Sequence, residues 1–290
     1  MLTEVHVPED VPAAVSLVAA GATIIGGGTS VMPSLNDYGS PPTELVSLRR
    51  AGLAGVNIDG TTVTIGATTT LSQIEHEPRL EILNPVVRSI ASVPVRNLAT
   101  VGGNLFVPQP HGDLAVALVA LNARAFVLGG LDDPAAALDG PASASNGPAG
   151  LLGGDGARTE VSVEELTGAR TAGLVAAVVF ELPAPGSFKY LKAARRRYNS
   201  ASLVTVAATI TESGGVVTGA RVALGGVSNR VVRARAVEEA LIGRPLDAAT
   251  VQAAARAGLA ELSPADDAYA SAWYRRRVFP VHLRRALLGH

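Results

Sequence analysis

The chain has no cysteine. That absence excludes a disulfide, a thiolate zinc site, a cysteine nucleophile and any iron–sulfur cluster ligated by this chain. Redox chemistry here therefore requires a borrowed organic cofactor. An excess of charge of one sign is missing too. The 290 residues carry 24 Lys and Arg against 25 Asp and Glu, a net charge of −1, and basic residues gather only at Arg195-Arg196-Arg197 and Arg275-Arg276-Arg277. Nucleic-acid binding is accordingly not expected. No stretch approaches an uncharged membrane span, and Met1-Leu2-Thr3-Glu4-Val5-His6-Val7-Pro8 lacks the basic and apolar regions of a signal peptide, so a cytoplasmic location is the expectation. The five histidines, His6, His76, His111, His282 and His290, show no metal-ligand spacing. Serine, histidine and acidic residues form no hydrolase signature.

What is present is apolar residues, 48% of the chain, enough for a sizeable core and two or three compact units. Two glycine clusters about seventy residues apart stand out: Ile24-Ile25-Gly26-Gly27-Gly28-Thr29-Ser30 before Val31, and Thr100-Val101-Gly102-Gly103-Asn104. Each follows apolar or β-branched residues and ends in a hydroxyl or amide side chain. Glycines let backbone approach a ligand closely, and successive N–H groups can converge on phosphate oxygens, so the pair reads either as two tight turns or as a cradle gripping a pyrophosphate from both sides. Neither cluster is the dinucleotide fingerprint of three spaced glycines opening a long helix, which disfavours a Rossmann domain.

Hydrophobic patterning places these clusters. Glu9 to Ala20 reads as a helix capped by Asp10 or Glu9, Thr23-Ile24-Ile25 as a strand delivering the first cluster, and Glu44 to Leu48 as a second strand, so residues 1 to 50 form a β-α-β unit. Val63 to Ala67 reads as a strand, Thr70 to His76 as a helix capped by Thr70, and Leu83 to Ser92 as one helix stopped by Pro94. Asp113 to Leu121 is an apolar helix starting at an acid, and Ala123 to Leu128 a strand. Gly129 to Gly156 is dense in glycine, proline and serine and reads as an irregular insertion. Val161 to Leu166 and Leu174 to Leu182 resume regular structure, and Pro183 to Gly186 marks a boundary. Beyond it, Phe188 to Ala194, Ala201 to Thr211 and Gly219 to Leu224 read as an antiparallel meander, with helices at Arg235 to Ile242 and Ala248 to Leu262 on one face. Three divisions result, 1–50, 51–183 and 187–290.

Ala99-Thr100-Val101-Gly102-Gly103-Asn104-Leu105, followed by Pro110 and Asp113 to Leu118, resembles the second flavin-binding motif of the FAD subunit of molybdenum hydroxylases, the family of xanthine dehydrogenase and aerobic carbon monoxide dehydrogenase. Gly26 to Ser30 is similar to the family's first FAD loop. Lys192 with Arg196-Arg197, Gly225-Gly226-Val227, Glu238-x-x-Leu241-x-Gly243 and Ser271-x-x-Tyr274-Arg275 match its carboxy-terminal domain. The resemblance implies an α+β fold, two subdomains of the PCMH type holding FAD and a smaller sheet-and-helix domain. Implied cofactor contacts are Ile24 to Val31, Thr100 to Asn104, Asp113, Lys192 and, more loosely, Ile90. Asp113 otherwise reads as a helix cap, Lys192 as part of a solvated basic edge, and Ile90 as core. Where relatives follow the paired arginines with an aspartate-containing segment, this chain has Tyr198-Asn199-Ser200-Ala201-Ser202.

By the same resemblance, a molybdopterin cofactor sits on a large partner chain and two [2Fe–2S] clusters on a small one. FAD on this chain would pass electrons to NAD⁺, a quinone or dioxygen, in an assembly most simply a dimer of heterotrimers. No side chain here need act as acid or base. The run Trp273-Tyr274-Arg275-Arg276-Arg277 has an interface composition and is expected to face a partner. The alternatives are a free-standing oxidoreductase of the vanillyl-alcohol-oxidase type, disfavoured by the short second domain and the missing cysteine, and a flavin-free structural subunit.

Overall fold

In the computed structural model the described residues are 2–36, 41–129, 158–168, 173–196 and 199–289. Nearly all of the insertion expected at 129–156 lies outside them. The chain forms two compact units. The first comprises Met1–Glu77, Val93–Phe106 and Arg124–Phe180, the second Pro78–Ser92, Val107–Ala123 and Glu181–His290. The class is α+β.

The first unit opens with β1 (Glu4–His6), α1 (Val11–Ala19), β2 (Thr23–Ile25), α2 (Val31–Leu35) and β3 (Glu44–Ser47). The three strands form a parallel sheet in the order β1-β3-β2. Asp10 starts α1 because its carboxylate accepts the Ala13 amide at 2.8 Å, and Pro12 sits in the first turn, where no N–H is needed. The expected β-α-β arrangement is thus present, with the first glycine cluster leaving the carboxyl end of β2. After β4 (Val56–Asp59), β5 (Thr62–Gly66) and α3 (Leu71–Glu75), the chain supplies α4 (Asn84–Ser89) to the second unit and returns for α5 (Val93–Arg96) and α6 (Val101–Leu105). It then gives α7 (Asp113–Ala120) to the second unit and comes back for β6 (Arg124–Leu128), β7 (Arg158–Ser162), α8 (Val163–Leu166) and β8 (Leu174–Glu181). These strands make a five-stranded sheet in the order β4-β5-β8-β6-β7. Ala14, Val46, Leu48, Leu53, Leu174 and Ala176 share one core. Thr70 caps α3 in a reciprocal box with Gln73, as its Thr-x-x-Gln pattern predicts.

The helix expected from Leu83 to Ser92 is shorter. Pro78–Leu83 is a 3-10 segment, α4 ends before an extended Ile90, and Ala91 turns the chain at φ 46°. Pro94 lies inside the first turn of α5 rather than ending a helix, because a proline there costs no hydrogen bond.

In the second unit β9 (Phe188–Ala194), β10 (Ser202–Ser213), β11 (Val216–Gly225) and β12 (Val232–Arg233) form an antiparallel sheet in the order β12-β11-β10-β9. Helices α9 (Arg235–Leu241), α10 (Ala248–Gly258) and α11 (Ala272–Leu288) follow. Alternation along β10 sorts its two faces. Val204, Val206, Ala208 and Ile210 pack with Val237, Val251, Phe279 and Leu283 of the three helices. Thr205 and Thr209 point the other way, onto α7, where Thr209 donates to the Ala120 carbonyl at 3.0 Å. Helices therefore cover both faces, not one; the second layer comes from α7, which precedes the sheet by some seventy residues. Among the described residues no helix is long and apolar enough to cross a membrane.

Candidate cofactor-binding elements

The two glycine clusters meet inside the first unit. A Cβ on Gly27 would fall on the Leu98 carbonyl, far inside van der Waals contact, and one on Gly26 would lie 2.7 Å from Thr100 Oγ1. These two glycines keep φ below zero, and only Gly28, at φ 74°, uses the left-handed region. Close approach of backbone to backbone, rather than turn geometry, is why the first cluster needs glycine at its centre.

The clusters differ in what they leave open. The second is not a loop. It forms α6, capped by Thr100, whose Oγ1 accepts the Gly103 amide at 3.2 Å. The Val101 amide donates to Thr69 O, that of Gly102 to Ala67 O and that of Asn104 to Thr100 O, so this segment's N–H groups are satisfied by protein. Sequence reasoning reads glycine as a loop former, yet here Gly102 faces Ala67 Cβ at 3.0 Å from its would-be Cβ, and helix packing decides. Gly103 is the exposed member. In the first cluster, by contrast, the amides of Gly27, Gly28, Thr29 and Ser30 make no hydrogen bond among the described residues, and Ser30 precedes α2 without a side-chain cap bond. Four successive free N–H groups beside two hydroxyl side chains are a ready acceptor site for an anion.

The second unit holds a buried polar network around Asp113, which is 3% exposed. Its Oδ1 accepts from Ser202 Oγ and from Thr205 Oγ1, both at 2.7 Å, and its Oδ2 from Lys192 Nζ at 2.8 Å. Lys192 also donates to Ser89 O at 2.9 Å. Two of the readings made from sequence are thereby corrected. Asp113 is not the helix cap, a position Gly112 occupies, and Lys192 is not on a solvated edge but pairs with a carboxylate seventy-nine positions away. Ser202 and Thr205, three apart, reach the same carboxylate because the pairing of β10 with β9 shifts register between Ser202 and Val204. The sequence signals neither hydroxyl as part of the site, since a bulge is needed to put them on one face.

The Tyr190 hydroxyl shares a 2.8 Å hydrogen bond with Ser89 Oγ. Burial pushes its phenol well above the ordinary range, the Asp113 carboxylate pushes the same way, and the Ser89 bond opposes both. Tyr190 is therefore a neutral hydroxyl at physiological pH. Ile90 is buried at the end of α4, as its core reading requires. Asn199 takes φ 47°, while Arg197 and Tyr198 lie outside the described residues.

The carboxy-terminal arginine run divides. Arg275 is buried, donating to Gly226 O at 3.0 Å and Asp267 Oδ2 at 2.8 Å, and Arg276 donates to Leu259 O and Leu262 O. Of the three, Arg277 alone lies over an aromatic ring, with its guanidinium carbon 5.7 Å from the Trp273 centroid.

Comparison with known proteins gives these elements a setting. Residues 2–131 match the FAD binding domain in molybdopterin dehydrogenase, and 189–289 match the CO dehydrogenase flavoprotein C-terminal domain. The carbon monoxide dehydrogenase medium chain of Afipia carboxidovorans is 27% identical over 97% of this chain and 94% of its own. The glyceraldehyde dehydrogenase medium chain of Sulfolobus acidocaldarius is 28% identical over 90% and 88%. Among solved structures, carbon monoxide dehydrogenase from Hydrogenophaga pseudoflava, in a form lacking the Mo-pyranopterin moiety of the molybdenum cofactor, superposes with a TM-score of 0.84 at 28% identity, covering 99% of this chain and 96% of that one. The matched domains, their order and the shared fold together make this chain a member of the FAD-binding medium subunits of the molybdenum hydroxylases, an oxidoreductase flavoprotein subunit.

Proposed function

We propose that this chain holds FAD noncovalently and works as the electron-transfer subunit between an iron–sulfur chain and an external acceptor. The observation that carries the reading is the run of free amides from Gly27 to Ser30, set against α6 by glycines that permit no side chain. A pyrophosphate offers the acceptors that such a run lacks. We assign Ile24 to Val31 to that role, with Thr100 to Asn104 as the rigid wall behind them and Gly103 as the exposed, side-chain-free face. On the resemblance we extend the assignment to Ile90, Asp113 and Lys192, with the last two acting as a matched carboxylate and ammonium.

Bound FAD supplies the exchange of electrons between single-electron and two-electron partners. This chain's residues bind and orient it. The substrate is set elsewhere: relatives named for carbon monoxide and for glyceraldehyde match this chain in sequence over 94% and 88% of their length. With no cysteine in this chain, thiolate-ligated [2Fe–2S] clusters belong to a small partner chain, and the molybdopterin cofactor to a large one. NAD⁺, a quinone or dioxygen is the acceptor class, and a dimer of heterotrimers the simplest assembly.

Purification of the tagged chain from its own host tests the subunit reading. The expected result is copurification of one large and one cysteine-rich chain, with molybdenum and iron in the complex and neither in the separated chain. A chain that purifies alone and turns over an oxidisable substrate unaided would contradict it.

A further inference from the structure

Helix α11 is strongly basic. It contains five arginines and no acidic residue in a protein whose net charge is −1. Its inward side is committed: Arg275, Phe279, Leu283, Ala286 and Leu287 are buried. That fixes the outward side as Trp273, Tyr274, Arg277, Val281, Arg284 and Arg285, all exposed, with Trp273 at 67%. Positions 273, 277, 281 and 284 or 285 succeed one another at three- or four-residue intervals and so form one stripe. Arg277 is already held over the Trp273 ring.

Resting on the subunit reading above, we propose that this stripe docks an Asp- and Glu-bearing surface of a partner subunit. Its cations are arginine without lysine, the residue whose planar fork pairs bidentately with carboxylates, and Trp, Tyr and Arg are the types that anchor protein interfaces. Stacking on Trp273 orders Arg277 before binding and so reduces the entropy lost on association. A second copy meeting this stripe with its own does not fit, since two such stripes repel. A lipid surface fits less well: the outward side offers little apolar area beyond Trp273 and Val281, and the inward side is tied into the core and cannot sink into a bilayer.

Charge reversal tests the surface in the full chain expressed in its own host. R277E combined with R284E should reduce the copurified large and cysteine-rich chains at least tenfold at low salt, and should remove most of the salt dependence that wild-type assembly shows. Flavin content and melting temperature should stay at wild-type values, because both arginines are exposed. In a second experiment, a photo-crosslinking amino acid at position 273 should join a partner peptide rich in Asp and Glu. Crosslinks only to a second copy or to lipid, or variants that assemble as well as wild type, would overturn the docking surface while leaving the subunit reading intact. A wild-type chain without partners would overturn both.

Discussion

Lys192→Met is expected to cost about 3–5 kcal/mol and to lower the melting temperature by on the order of 10 °C, because it leaves the Asp113 carboxylate buried without its counter-charge. A lysine on a solvated edge would give no such loss. Asp113→Asn should cost a comparable amount, since it strands the ammonium beside Ser89 O, while the hydroxyls of Ser202 and Thr205 retain an amide oxygen as acceptor. The double variant should be far less destabilised than the sum, because removing both charges leaves neither unpaired. Thermal melts of the four proteins measure the coupling; additive losses would mean that the pair does not act as a unit. On the proposal that bound flavin lies within reach of Lys192, Lys192→Met leaves the Asp113 charge uncompensated, so the flavin midpoint potential should fall; an unchanged potential would remove Lys192 from the cofactor contacts.

Gly27→Ala is expected to cost about 3 kcal/mol or more, at the upper end for overpacking, because the added carbon meets the Leu98 main chain, which has no rotamer with which to yield. The sequence alone suggests that a side chain at Gly27 would expel the cofactor and spare the fold. The geometry makes it a folding defect of the first unit. Gly103→Ala is the discriminating control. Its Cβ would meet only Thr100 Oγ1 at 3.0 Å, it is exposed, and alanine gains roughly 1 kcal/mol over glycine within a helix. Its melting temperature without cofactor should therefore stay near wild type, so that any flavin loss reports on binding. Equal melting temperatures for the two variants would contradict the tight seating of the first cluster on the second.

Local signals explain what could be read from sequence. Asp10 before Val11-Pro12 and Thr70 three residues before Gln73 mark helix starts by chemistry that acts within one turn. The meander announced itself through alternation and short turns. What escaped depends on contacts distant in sequence or on patterns that resemble something else. Gly102 and Gly103 read as loop because their helical state rests on Thr100 and on packing against Ala67. Lys192 and Asp113 are found as partners only once β9 and α7 are folded. No helix was expected over α11, because its arginines and Pro280 blur the apolar period that Phe279, Leu283 and Ala286 complete. The layer formed by α7 was missed for the same reason as the ion pair: nothing local in Asp113 to Ala120 says which sheet will receive it.

The claim that this chain itself holds FAD is tested most directly by denaturing the purified protein in acid and identifying what leaves it. Free amides at Gly27 to Ser30 and the absence of cysteine predict a yellow protein that releases all its chromophore as FAD and rebinds FAD when refolded. A colourless protein that cannot be reconstituted with FAD, or colour that stays with the precipitated chain, would contradict it.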